Sequence, residues 1–428
     1  MNHQKSILFR LYASEAGSTF TSQYVLFAIP VVAVTVLNAR DSEVALLNAA
    51  SGLGILIFLL LLGPLADVRR KDLLLGFLSI ARGVAAALLT YAFMQDAVSI
   101  TVLIVGVFFI GGMTALYESS VSAYIPALVR PSKLPTANSW IAGLRSAADI
   151  GAGAAAGWVL QYLGPSWLMA VVAALYIVVS VGPFSMRPVF KPGGGSIQRA
   201  DKADSETGKS FIQEAVAGFN ILFRDRAQFR MNLGIFQFNL FTSAVQAIFA
   251  VYAIRYADLT AITFGLAGTI GGLIGLLGVW ISVKAIRKFR PHRLMAATLM
   301  IPGIMGIFIV LLPVFTPTSQ IFVLGAALGI WAAATLTNIA LFETVKQVLV
   351  PSQYLGRYSA ASRLFTWGIE PVGALLAALA VTYAPINVVL TIAFGGIFAS
   401  GFWVIREKSL IAITNRQLYE YMSEAAKQ

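Results

Sequence analysis

Three acids lie inside long apolar stretches of this chain: Glu118, Asp149 and Glu370. Two of them follow an arginine on the same stretch. Asp149 comes one helical turn after Arg145, and Glu370 two turns after Arg363, so in a helix each pair occupies one face. Two chemistries suit such a pair. The arginine and acid can neutralise each other permanently, so that an apolar helix tolerates both, or the carboxylate can take up and release a proton as its surroundings change. Glu118 has no cationic residue within a turn of its own segment and is the first candidate for proton coupling. Glu343 is followed by Lys346 near a segment end and reads as interfacial; Glu15 opens the first segment, and Arg82 has no partner visible in the sequence. The chain has no cysteine, and its two histidines, His3 and His292, fall at segment ends. No thiol chemistry, Cys-ligated metal, nucleophile–base constellation or cofactor site is expected.

The elements that must carry these acids follow from composition. At 58% hydrophobic and 12% charged residues, the chain has about half the charge of a soluble globular domain. Runs of about 20 or more apolar residues fit helices that cross a bilayer. They fall near 14–37, 44–66, 73–94, 98–127, 139–161 and 166–186, then 230–256, 262–284, 293–314, 319–349, 355–382 and 386–406. Short alternating segments would be needed for a barrel, and these are long and continuous. The expected fold is an all-α integral membrane protein with twelve transmembrane helices in two pseudo-symmetric six-helix bundles. The bundles occupy 1–186 and 230–406, joined by a linker at 187–229 and followed by a tail at 407–428.

The cations give the topology. Of the 31 Lys and Arg residues, only Arg40 and Arg255 lie in or beside the odd-numbered gaps between segments, and only Arg82, Arg145 and Arg363 lie well inside segments. All others sit in even gaps, at the segment ends beside them or in the tails, which places both termini on the cytoplasmic side of a cell membrane. The net charge of +12 is thereby directed at anionic lipid headgroups, and nucleic acid is not an expected partner. The first segment is too long for a typical cleaved signal and reads as a retained helix. In the linker, Phe211, Ile212, Ala215, Val216, Phe219 and Phe223 recur at helical spacing opposite charged residues, the pattern of an interfacial helix. Ala203, Gly208, Lys209 and Ser210 fit a loose phosphate-loop pattern, but they lack the strand and packed helix that would converge amides on a phosphate.

The halves echo one another. Pro131-Ser132-Lys133-Leu134 opens the fifth segment and Pro351-Ser352-Gln353-Tyr354 the eleventh, each followed by an arginine, an acid and glycine. Such duplication is common in transporters, whose sites lie near the midplane between repeats. Polar stripes suggest a cavity there. Asn232, Asn239 and Gln246 recur every two turns in the seventh segment, and Ser18 and Ser22 mark a polar face on the first. Tyr24 and Trp367 would add amphipathic wall. The alternative for such stripes is helix–helix packing.

The loop Gly63-Pro64-Leu65-Ala66-Asp67-Val68-Arg69-Arg70-Lys71 resembles the signature of the major facilitator superfamily: glycine, three residues, aspartate and a basic cluster between the second and third spans. Val68 departs from the arginine usual there. The resemblance implies a gating role for Gly63, Asp67, Arg69, Arg70 and Lys71. The segments from Ile125 to Ser139 and from Val350 to Ala374 are similar to the branch of macrolide-efflux proteins and the enterobactin exporter. That resemblance implies proton-coupled efflux of an amphipathic small molecule by alternating access, with substrate and protons as partners, no obligate protein partner and no enzymatic activity. An importer or facilitator is the alternative, followed by a lipid enzyme or flippase.

Overall fold

The computed structural model describes residues 2–62, 70–128, 134–185, 219–350, 355–407 and 410. They form fourteen α-helices. The first six are α1 (Asn2–Thr35), α2 (Asp41–Leu62), α3 (Lys71–Met94), α4 (Ile100–Leu128), α5 (Leu134–Leu163) and α6 (Pro165–Phe184). The second half holds α7 (Arg226–Val251), continued by a π-helical turn at Tyr252–Tyr256, then α8 (Ala261–Lys288), α9 (Pro291–Val310) and α10 (Pro317–Leu349). It ends with α11 (Leu355–Trp367), α12 (Glu370–Tyr383), α13 (Ile386–Ser400) and the single turn α14 (Phe402–Ile405). Eleven spans among the described residues are long and apolar enough to cross a membrane; α5, at 30 residues, is long enough to do so but is not among them.

The two halves repeat one packing scheme. In the first, α1 packs on α5 and α6, α2 on α4, and α3 on α4 and α6; in the second, α7 packs on α12 and α13, α8 on α10, and α9 on α10 and α13. The repeat extends to backbone detail. Asn38 and Asp258 both adopt positive φ, at 49° and 54°, and in the same two turns Ala39 N–H reaches the Ala33 carbonyl (2.9 Å) and Leu259 N–H the Ala253 carbonyl (3.0 Å). One sequence interval relates all of these pairs. An interval one residue longer relates α5 to α11–α12, which makes Asp149 the counterpart of Glu370.

Two departures from the expected spans have local causes. The eleventh span is two helices, α11 and α12, with a turn at Gly368–Ile369, because Pro371 has no N–H for the carbonyl a turn earlier and its ring crowds that carbonyl. The seventh span ends in a π turn, which carries Arg255 and Tyr256 to its tip. Interfacial-helix residues 211–218 lie outside the described residues; 219–224 are helical.

The halves meet along two seams, α5 on α8 and α2 on α12. They are counterparts: Gly272 faces Ile150 across one, and its repeat partner Gly52 faces Pro371 across the other. At Gly157 and Gly265 the approach is so close that a Cβ would meet the Ala261 and Gly153 carbonyls. Thr269 Oγ1 donates to the Ile150 carbonyl (2.6 Å), and Asn48 Nδ2 to the Ala247 carbonyl (3.1 Å). At the end holding the odd-numbered loops, Asp41 binds Arg255 (2.8 Å) and accepts from the Tyr256 hydroxyl (2.9 Å). The halves are therefore closed at that odd-loop end.

Closure of this kind depends on the missing side chains. Since the chain contains no cysteine, Gly268→Cys, at a position with open space around its Cα, provides a single reporter thiol on α8. Adding Gly265→Val should raise its labelling by a water-soluble maleimide by about fivefold or more as the closed population falls. Unchanged labelling would show that the seam accommodates the extra volume.

Candidate functional site

The first half contains a buried polar cluster built from four helices. Arg82 on α3 is fully buried, and a lone guanidinium there would be prohibitively costly. It is answered on every side. Its Nη1 donates to Ser18 Oγ (3.0 Å), Nη2 to Ser79 Oγ (3.2 Å) and Nε to the Leu78 carbonyl (3.3 Å). The Tyr117 and Tyr176 rings sandwich it at 4.3 and 4.5 Å, a cation–π arrangement strengthened by the absence of water. Glu15 is also 0% exposed. The arginine without a sequence partner thus finds its partners on other helices, because α1, α3, α4 and α6 converge there; Glu15, expected to open the first span, lies well inside α1 and is buried.

This cluster borders a cavity. About 180 Å³ accessible to water lies between α1, α2 and α4. Its polar wall is Ser22, Gln23, Asn48, Ser51, Thr114 and Glu118; Leu26, Ile29, Ile55, Val107 and Ile110 supply much of the apolar wall. Ser22 hydroxyl also meets Tyr176 Oη at 3.2 Å, so a single hydroxyl belongs both to the cavity wall and to the shell around Arg82.

Of the residues expected to line a cavity, Ser22 does so. Ser18 and Tyr24 are buried in helix packing, at 2% and 1% exposure. Asn232 is fully buried and joins α7 to α11: its Nδ2 donates to Tyr358 Oη (2.6 Å), and its Oδ1 accepts from Ser362 (2.5 Å). Tyr358 in turn donates to Gln228. Asn239 Nδ2 donates to the Thr366 carbonyl of α11 (2.9 Å). The α7 amide stripe therefore serves packing at both positions, because two-turn spacing faces α11. Gln246 and Trp367 are exposed and lie outside this cavity lining.

The second-half acid is placed differently. Glu370 is exposed at the first turn of α12, immediately before Pro371, which touches α2 at Gly52. The expected Arg363–Glu370 pair is not formed among the described residues: the helix break rotates the two apart, and Arg363 lies over the Trp367 ring at 5.8 Å. Asp149, on unbroken α5, immediately precedes Ile150 at the other seam. An acid thus occupies the same register at both seams; the side chains of Arg145 and Asp149 lie outside the described residues.

Of the loop signature, Gly63, Asp67 and Arg69 lie outside the described residues. Arg70 is exposed and binds the buried Asp72 of α3 (2.9 Å), whose carboxylate holds the guanidinium above its ordinary pKa through their hydrogen bonds. Lys71 begins α3. At the same end of the second half, Glu343 pairs with Lys346. Buried Glu407 joins Arg230 (3.2 Å) and Arg226 (3.6 Å), tying the last helix to the start of α7. Glu407 was not singled out in the sequence, since its position just past an apolar run resembles any solvated tail.

Residues 11–369 match the family model described as Major Facilitator Superfamily. No curated protein sequence matches the chain. Among solved structures, it is similar to a bacterial homologue of the iron transporter ferroportin in an inward-facing state, with TM-score 0.71, 15% identity and coverage of 95% of this chain and 99% of that one. A nucleoside transporter gives TM-score 0.69 at 11% identity over 95% and 100% of the two chains. A D-xylose–proton symporter gives 0.68 at 14% identity over 93% and 97%.

The buried cluster makes a stability claim. Arg82→Met should lower stability in detergent thermal unfolding by about 1 to 3 kcal/mol, because the buried hydroxyls and carbonyl that answer the guanidinium lose their donor. A variant that melts like wild type would show that this shell does not contribute to stability.

Proposed function

The chain belongs to the major facilitator superfamily, and on that premise we propose that it is a proton-coupled secondary transporter exporting an amphipathic small molecule across the cell membrane. The observation that carries this reading is the pair of equivalent seams. Rotating one half about the line through the Gly52–Pro371 and Gly272–Ile150 contacts keeps both contacts while separating Asp41 from Arg255 and Gly157 from Ala261. That is a two-state rigid-body motion with its axis near the midplane, the geometry alternating access requires. The described arrangement, closed at the odd-loop end, corresponds to the inward-facing state when the basic loops are cytoplasmic.

Protons enter through the acids. Glu370 and Asp149 stand beside the two pivot contacts, where protonation changes the local charge without requiring the carboxylate to travel. Glu118 stands in the cavity wall, where cargo and proton meet. The structural neighbours include a nucleoside transporter, a D-xylose–proton symporter and a homologue of an iron transporter; one fold serves many substrates, so the cargo class is argued from the site. A wall of aliphatic side chains with two amides, hydroxyls and one carboxylate suits a small amphipathic molecule. Arg70 and Lys71 would belong to a gating loop at the cytoplasmic end. Its partners in this reading are lipid, cargo and protons.

Cells producing the protein should accumulate less of at least one member of a panel of lipophilic cations, macrolides and catechol siderophores, and the difference should vanish when the proton gradient is collapsed. Increased accumulation would reverse the direction to uptake. Glu370→Gln should keep the fold and abolish gradient-driven flux, whereas Glu118→Gln should alter both cargo affinity and coupling. Wild-type driven flux in both variants would remove Glu118 and Glu370 from proton coupling.

A further inference from the structure

The repeat relates two helices that carry acids at equivalent positions, and only one of them is broken. In α5, Asp149 is followed by Ile150 and the helix continues; in the second half, Glu370 is followed by Pro371 and the span divides into α11 and α12. A helix break leaves carbonyls without donors, and inside an apolar bundle each such carbonyl needs another partner. Gly368 N–H still reaches the Leu364 carbonyl (3.1 Å), and Gly373 N–H restarts the ladder at the Ile369 carbonyl (3.1 Å). The Thr366 carbonyl, which Glu370 N–H would serve in a continuous helix, instead accepts Asn239 Nδ2 of α7 at 2.9 Å.

The duplication supplies an internal control. The counterpart of Asn239 in α1 is Thr19, and the counterpart of the Thr366 carbonyl is that of Arg145 in unbroken α5. The amide donor is present where the helix is broken and absent where it is whole. The same stretch of α7 meets α12 directly: a Cβ on Gly373 would strike the Leu240 carbonyl and the Ser243 hydroxyl. Further along, α7 provides the Ala247 carbonyl to Asn48 and leads to Arg255, which holds Asp41 of the other half. One helix therefore touches both the break beneath Glu370 and the odd-loop gate.

We propose that Asn239 is a positioning residue: by capping the Thr366 carbonyl it fixes the break that presents Glu370 at the seam, and it passes the protonation state of Glu370 to the gate through α7. This rests on the reading of Glu370 as a proton-coupling group. The surroundings of Glu370 are simple. Among the described residues, the ionisable groups of α2 are Asp41 and Glu43 at its far end, those of α7 are Arg226 and Arg230 at the basic end, and α13 has none. On α11, Arg357 lies at the helix start and is not described beyond its backbone, Tyr358 is buried against α7, and Arg363 is over Trp367.

The test needs no identified cargo. Spin labels on Gln95→Cys and Thr318→Cys, exposed positions at the odd-loop end of opposite halves, report gate distance by pulsed electron resonance in nanodiscs across a pH series. Wild type should show a pH-dependent population of two distances, and Glu370→Gln should be flat. Asn239→Leu should move the wild-type population ratio by about tenfold at a given pH, the scale of one unsatisfied buried carbonyl. Pro371→Ala lets Glu370 N–H reach Thr366, so Asn239→Leu should have little further effect in that background, a non-additivity expected of directly coupled groups. If Asn239→Leu does not fold, Asn239→Asp keeps the shape and, while ionised, cannot donate; it should show the same displacement. A wild-type pH profile in the folded Asn239 variant, alongside a flat Glu370→Gln, would overturn the positioning role alone. A wild-type profile in Glu370→Gln, or no pH dependence in wild type, would overturn the coupling role of Glu370 and the proposal with it.

Discussion

Inside a bundle of apolar helices no water is at hand, so each charge and each backbone carbonyl has to be answered by a group of the protein. The rest of this structure depends on how that demand is met. In the first half it is met around Arg82, where serine hydroxyls, a backbone carbonyl and two tyrosine faces converge from four helices. In the second half it is met along α7, whose amides serve Tyr358, Ser362 and the Thr366 carbonyl of α11. The same groups that permit burial also fix which helices are neighbours, because a satisfied polar network tolerates only one arrangement of its members.

The two halves are one design that has diverged. Their packing order, loop conformations and seam contacts correspond, yet the first half devotes its polar residues to a buried guanidinium and the second to a broken helix. Arg82 has Pro302 as its counterpart, and Glu118 has Asn338, a buried amide that donates to Thr298 Oγ1 (2.9 Å). The cavity accordingly forms beside α4 in the first half, where a carboxylate stands in the wall. Divergence of this kind leaves the cavity in one half and the broken helix in the other.

Glycine decides what the seams can do. With no Cβ at Gly157 and Gly265, backbone lies on backbone at the odd-loop end, so closure there needs few side-chain rearrangements. The contacts at Gly52 and Gly272 sit deeper and are related by the repeat. Two such contacts define a line, and a rigid half can turn about a line without breaking either point. The link from Thr269 to the Ile150 carbonyl lies at one of these contacts, whereas the link from Asp41 to Arg255 lies beyond the line and would open if a half turned.

What the sequence determined by itself is the part governed by transfer from water to lipid. Apolar run lengths fixed the helices, the gaps holding Lys and Arg fixed which loops share an end, and the recurring order of proline, arginine, acid and glycine exposed the duplication. Charge inside an apolar run marked Arg82, Glu118 and Glu370 as residues with a reason to be there. Tertiary structure alone decided their partners, since those come from other helices: Tyr117, Tyr176 and Ser18 for Arg82, and Gly52 beside Pro371 for the seam. It also reassigned the α7 stripe. Two-turn spacing says that Asn232 and Asn239 share a face, but only packing says whether that face meets water or another helix, and here it meets α11. The break at Pro371 separated Arg363 from Glu370, which a continuous helix would have kept on one side. Periodicity describes a helix in isolation; the chemistry of this site depends on what the neighbouring helix offers at the same depth.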